Sequence, residues 1–192
     1  MNKLIIAISL ALAAVVPAEA KGFYVSTSFG PNWDNESNLP FVSEDTGLVG
    51  SVALGTNIDG VDGLRFELEA SYRTHDSTAF GSLPIEHDTT AVMANLAWDV
   101  NGLAVGRVVP FIMAGAGVAH TEMTFGGLAP LTVENDGFAF QLGTGLNYLI
   151  SDGVTAGVQY RYLEAPAVEI FGFELDSGSN HAAMATVSIA LN

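Results

Sequence analysis

The residues with the most chemical potential lie in the segment LRFELEASYR, where Arg65, Glu67, Glu69 and Arg73 share parity, and in QYRYLE, which adds Arg161. A spacing of two puts the first four on one face of a strand. Two chemistries suit such a set. Around a water-filled lumen it would be a charged constriction that selects ions. Facing one another in a closed barrel, the same groups would pair and fill it, because eight strands enclose a space just wide enough for side chains. Buried charges are tolerated only when paired and hydrogen-bonded. The second reading is therefore the expectation.

Four histidines, His75, His87, His120 and His181, fall near Asp76, Glu86, Asp88 and Glu122. Histidine titrates near neutrality and ligates metals. No H-x-x-H or EF-hand spacing accompanies them. Solvated bases on an external rim are expected, with no metal and no cofactor. Lipid hydrolysis would need a serine beside a histidine base. His120 reads as facing inward with no serine two places away, and G-x-S-x-G is absent. No enzymatic activity is expected.

The elements that must carry these residues are strands. The stretch Phe138 to Glu164 sets Phe138, Phe140, Leu142, Thr144, Leu146 and Tyr148 against Ala139, Gln141, Gly143, Gly145 and Asn147. After Ser151-Asp152-Gly153, Val154, Ala156, Val158, Tyr160 and Tyr162 alternate with Thr155, Gly157, Gln159 and Arg161. Alternation on both sides of an Asp-Gly turn reads as a hairpin. Each arm is as long as a tilted strand crossing a bilayer.

The same pattern recurs along the chain. It predicts strands over 22–30, 47–57, 64–73, 88–100, 108–123 and 181–191, besides the two of the hairpin. In the fifth of the eight, Val109, Phe111 and Met113 are assigned to the lipid face, though Ile112, Ala114 and Val118 opposite are equally apolar. Long loops are expected at 31–45, 75–86, 124–136 and 166–180. They hold most of the acids. Short turns lie between the other strands. Eight strands with alternating short and long connections predict an all-β fold, an eight-stranded antiparallel up-and-down transmembrane β-barrel.

Composition agrees with a wall facing lipid. Hydrophobic residues make up 49% of the chain, and Lys21 is the only lysine after position 3. Soluble β-proteins use lysine freely on faces and edges. A formal charge of −15 excludes a nucleic-acid partner, and the absence of cysteine excludes disulfides and thiol chemistry. Lys3, an apolar run from Leu4 to Val16 and the Ala18-Glu19-Ala20 pattern predict a signal peptide over 1–20. Residues 21–192 are then the barrel domain, with both termini periplasmic. In that topology Phe23, Phe66, Trp98, Phe111 and Tyr148 form an inner aromatic girdle. Phe29, Tyr72, Phe138, Phe140, Tyr160 and Tyr162 form an outer one.

The segments GFYVSTSFG, LRFELEASYR, VPFIMAGAGVA, FAFQLGTGLNY and VQYRYLE, spread over most of the chain, resemble the opacity-type outer-membrane barrel family. These are small surface antigens of Gram-negative bacteria with a porin-like barrel domain. The chain departs from the family at Leu191-Asn192, where such barrels end on an aromatic residue that the barrel-assembly machinery reads. The resemblance implies an outer-membrane location and no particular reaction. The expected function is surface interaction through the external loops, with outer-membrane lipid, the assembly machinery and an extracellular or host ligand as partners. The alternative is a narrow porin-like channel for ions or small solutes.

Overall fold

Side chains that alternate between apolar and small or polar form strands, because successive Cβ atoms point to opposite faces of a sheet. When one face is apolar throughout and the other lines a narrow interior, closing the sheet removes its unpaired edges. The computed structural model shows this closure. It describes residues 22–34, 42–79, 82–127, 130–166, 169–170, 173–174 and 179–191. The expected signal peptide, 1–20, lies outside the described residues.

Eight strands form the wall: β1 (Phe23–Asp34), β2 (Gly47–Asn57), β3 (Leu64–Ala79), β4 (Leu83–Asp99), β5 (Val108–Phe125), β6 (Leu131–Ser151), β7 (Val154–Glu164) and β8 (Ser179–Leu191). Each pairs antiparallel with the next, and β1 closes on β8 with Phe23 opposite Leu191 and Asp34 opposite Asn180. The fold is a closed eight-stranded antiparallel up-and-down β-barrel. A short strand, Val42–Glu44, adds to the far end of β3, and Glu169–Ile170 pairs with Phe173–Glu174.

Two expected loops are largely strand. β3 and β4 stay paired through His75↔His87 to Ala79↔Leu83, and β5 and β6 through His120↔Asp136 to Phe125↔Leu131. The segments 75–86 and 124–136 are polar and acidic, which suggests loop by composition. Their alternation continues that of the wall, and tertiary pairing outweighs the composition. At 16 to 21 residues, β3 to β6 far exceed the roughly 9–11 residues needed to cross a bilayer. Their surplus lies beyond Tyr72 and Phe138 as a paired ledge.

The hairpin turns also differ in detail. Gly60 and Gly63 adopt φ of 85° and 75° in the β2–β3 turn, a conformation that a Cβ disfavours. Gly153 is not among the positive-φ glycines. The β6–β7 hairpin closes Ser151 onto Val154 around Asp152-Gly153, the tight turn expected from the sequence, with a register shift between Leu149 and Ser151. That shift is a bulge beside the turn, where the strand bends.

Parity in β5 is opposite to the expectation. Phe111 and Met113 point inward, Phe111 with only 6% of its surface exposed, while Ile112 and Val118 face out. Both faces of β5 are apolar, so alternation there held no direction. The neighbouring strands decide it. Asn95, buried on β4, stands opposite Gly115, where a Cβ would come within 1.9 Å of Asn95 Oδ1. The glycine side of β5 therefore faces the lumen and makes room for the amide.

Candidate functional site

The lumen is the place where the inward faces of all eight strands converge. Arg65, Glu67, Glu69, Arg73 and Arg161 do not meet as one cluster. Near the turn-side end, Arg65 grips Asp99 with two nitrogens, Nε to Oδ2 at 2.9 Å and Nη2 to Oδ1 at 3.0 Å. Its Nη1 donates to Glu67 Oε1 and to Tyr24 Oη, both at 2.7 Å, and Tyr24 Oη donates to Glu67 Oε1 at 2.5 Å. The guanidinium carbon lies 5.7 Å from the Tyr24 ring centroid and 5.8 Å from that of Phe111, within cation–π range. Asn147 donates to Asp99 at 3.2 Å.

The second layer is deeper. Arg161 Nη1 pairs with Glu69 Oε2, and its Nε donates to Gln159 Oε1 at 3.2 Å. Gln141 Nε2 reaches Asn95 Oδ1 at 2.7 Å and Glu69 Oε1 at 3.3 Å. Gln159 Nε2 donates to Ser28 and Thr186 across the β1–β8 seam. Glu69 is 1% exposed and Arg161 3%, so their charges are removed from water. Such a pair holds only while both partners are present. Gaps beside the two layers are small, about 20 Å³ where Ser28, Glu67, Met113 and Arg161 meet. A wider vestibule of about 250 Å³ opens at the turn-side end between Tyr24, Asp99, Asn147 and Thr155.

Arg73 stands apart. It is buried, donates Nη1 to Ser71 Oγ at 2.9 Å and makes no ion pair among the described residues. Above it His75 and His87 stack with ring centroids 4.4 Å apart. His75 Nε2 pairs with Asp34 Oδ2 at 2.9 Å, and His87 Nε2 lies 2.9 Å from Ser77 Oγ. These two histidines are therefore enclosed at the mouth of the lumen and are not solvated rim bases. His120 and His181 face outward. The expectation of an inward His120 fails with the parity of β5. His181 Nδ1 meets Tyr160 Oη at 2.5 Å, and its ring stacks on Trp33 at 6.2 Å.

The outer wall carries two aromatic bands. Phe23, Phe66, Trp98 and Tyr148 lie near the short turns. Phe29, Tyr72, Phe138, Phe140, Tyr160 and Tyr162 lie toward the other end, with Phe138 as much as 70% exposed. Phe111 leaves the inner band for the lumen. Trp33 joins the outer band, because β1 runs on through residues expected to be loop. Tyr24 and Asp99 already had inward parity in the sequence. What parity did not reveal was that their atoms would reach Arg65.

A family model described as the outer membrane protein beta-barrel domain matches residues 4–188. The outer membrane protein PagN of Salmonella typhimurium is 27% identical over 127 residues, covering 56% of this chain and 52% of PagN. The match thus spans about half the length of that relative. Among solved structures, Neisserial surface protein A superposes with a TM-score of 0.62 at 17% identity, over 89% of this chain and 98% of that one. A major outer membrane protein of Thermus thermophilus gives 0.51 at 12% identity, over 86% and 98%. With its closed eight-stranded barrel, apolar outer wall and a family match over nearly its whole length, this chain belongs to the outer-membrane β-barrel domain family of Gram-negative bacteria.

Proposed function

We propose that the protein is a surface-interaction protein of the outer membrane, closed along its axis and active through its external end. The observation that carries this reading is the layered interior. Arg161, Glu69, Gln141 and Asn95 reach one another across the lumen, and the gap between Arg161 and the Arg65–Glu67 layer, about 20 Å³, has room for about one water. A hydrated ion would have to break the Glu69–Arg161 pair to pass. In this reading both termini and the short turns are periplasmic. The lipid of the outer membrane packs between the two aromatic bands, and the assembly machinery inserts the barrel. The ledge of β3 to β6, with the segments 35–41 and 167–178, presents a ligand-binding surface to the exterior. Rigid scaffolds commonly display binding residues on such segments.

The vestibule at the turn-side end is the feature that favours the channel reading, and one pair of experiments separates the two. Shortening 35–41 and 167–178 together should leave a folded, heat-modifiable barrel. It should also abolish adhesion to cultured animal cells by bacteria displaying the protein. The intact protein in planar bilayers should give no steady single-channel current. A stable cation-selective current that changes with Glu67→Gln and Glu69→Gln would establish the channel instead.

A further inference from the structure

On the outer wall, three neighbouring strands bring carboxylates into direct opposition. Asp88 on β4 is the register partner of Glu122 on β5, and Glu122 is the partner of Glu134 on β6. All three share the outward parity of Val92, Val118 and Phe138. Like charges directly opposite one another destabilise a sheet. Tyr72 Oη relieves the first by donating to Asp88 Oδ1 at 2.7 Å. Among the described residues, no lysine or arginine does the same for the other two. Of the six basic residues, Arg65, Arg73 and Arg161 face the lumen, and Arg107 bonds the Ile150 carbonyl at the turn-side end. Lys3 and Lys21 precede β1. Among the described residues, the basic group beside Glu122 and Glu134 is His120.

His120 is built in beside them. One of its nitrogens and one carboxylate oxygen from each of Glu122 and Glu134 lie within 4.8 Å of one another. Asp136, opposite His120 in the β5–β6 ladder, binds its Nδ1 at 2.8 Å. A carboxylate on one ring nitrogen is the arrangement that orients a metal-bound imidazole and raises its basicity. The donor set also narrows the ion. Calcium and magnesium take oxygen ligands, whereas one imidazole with two carboxylates suits a borderline divalent ion such as Zn²⁺. Bonds of about 2.0–2.2 Å draw the ligand atoms closer together than they stand here. The His120 side chain is 42% exposed and Glu134 is exposed, which leaves both free to make that adjustment.

We propose that His120, Glu122 and Glu134 form a binding site for a Zn²⁺-class divalent cation on the outer face of the barrel, with Asp136 as its positioning residue. His120 is the register partner of Thr90, itself the partner of Tyr72, so the site sits at the outer aromatic band. Three protein ligands leave coordination open to water or to an anionic oxygen from the surroundings. The site depends neither on a closed lumen nor on the loops.

Titration calorimetry of Zn²⁺ into the folded, chelator-stripped barrel in zwitterionic detergent tests this directly. One Zn²⁺ per barrel is expected, undisturbed by millimolar Mg²⁺. Glu122→Gln and Glu134→Gln should each weaken binding at least tenfold, Asp136→Asn should weaken it by a smaller factor, and His181→Ala should leave it unchanged. Without metal, Glu122→Gln should unfold at a higher denaturant concentration than the parent. Added Zn²⁺ should raise the parent midpoint and leave that of Glu122→Gln where it was. X-ray absorption at the Zn edge of the unmutated protein should show one imidazole among oxygen donors. Absence of binding, binding indifferent to both glutamine variants, or a spectrum with two imidazoles would overturn the assignment.

Discussion

At the scale of single residues, the lumen ranks its own carboxylates. Glu69 is the sole acidic partner of Arg161 among the described residues, whereas Arg65 has both Glu67 and Asp99. Removing one member of a buried pair strands the other, at a cost of about 3–5 kcal/mol. Glu69→Ala should therefore lower stability by about that much, and Glu67→Ala by clearly less, because Asp99 keeps Arg65 compensated. Denaturant unfolding from lipid vesicles measures both, and equal midpoints for the two variants would refute the ranking. Gly115 gives a second test. Any side chain there invades Asn95, the acceptor for Gln141. Gly115→Val should destabilise by about 1–3 kcal/mol through overpacking. Gly102, which has nothing near its missing Cβ, should accept the same substitution with little effect on the unfolding midpoint.

Among the elements, the long strands β3 to β6 carry the consequence. Residues 74–79 pair with 83–88, and 120–125 with 131–136, so the amides that face the partner strand are committed to ladder hydrogen bonds. Loops of the same composition would leave those amides to water. Hydrogen exchange on the folded barrel should show both ledge segments protected well above the level of unstructured peptide. Exchange at the unprotected rate across 75–86 would mean that β3 and β4 end near Tyr72. The ledge also explains why His75 and His87 are enclosed. Paired strands keep alternating, and alternation turns the odd positions inward even beyond the membrane band.

For the molecule as a whole, inside and outside are exchanged relative to a soluble barrel. The buried set includes Glu69, Arg73, Asn95, Gln141 and Arg161, while Phe138, Val118 and Ile189 are exposed. That inversion is stable only in an apolar solvent. Leu142 lies on the outer face between Phe140 and Tyr148. Leu142→Arg should cost about 2–4 kcal/mol in a bilayer, the penalty for arginine near the midplane. Urea unfolding in vesicles reads that loss, and an unchanged midpoint would place Leu142 outside the hydrocarbon.

The sequence by itself determined the class, the strand count and most of the facing. Lysine is nearly absent beyond the first residues, and the period of two is unbroken in every wall strand except β2 and β5. In LRFELEASYR and FAFQLGTGLNY the two faces differ so strongly in polarity that only one orientation keeps charge from lipid. Where the faces are alike, as in Phe111 to Ala119, periodicity defines two rows and cannot say which points inward. Only the neighbouring strands chose, by placing Asn95 against Gly115. The same limit applies to the charges. Parity put Arg65, Glu67, Glu69, Arg73 and Arg161 in one lumen, but the partner of each depends on its height along the axis and therefore on register. Register is set by strand pairing around the closed ring, which gave Arg65 to Asp99, Arg161 to Glu69 and Arg73 to Ser71.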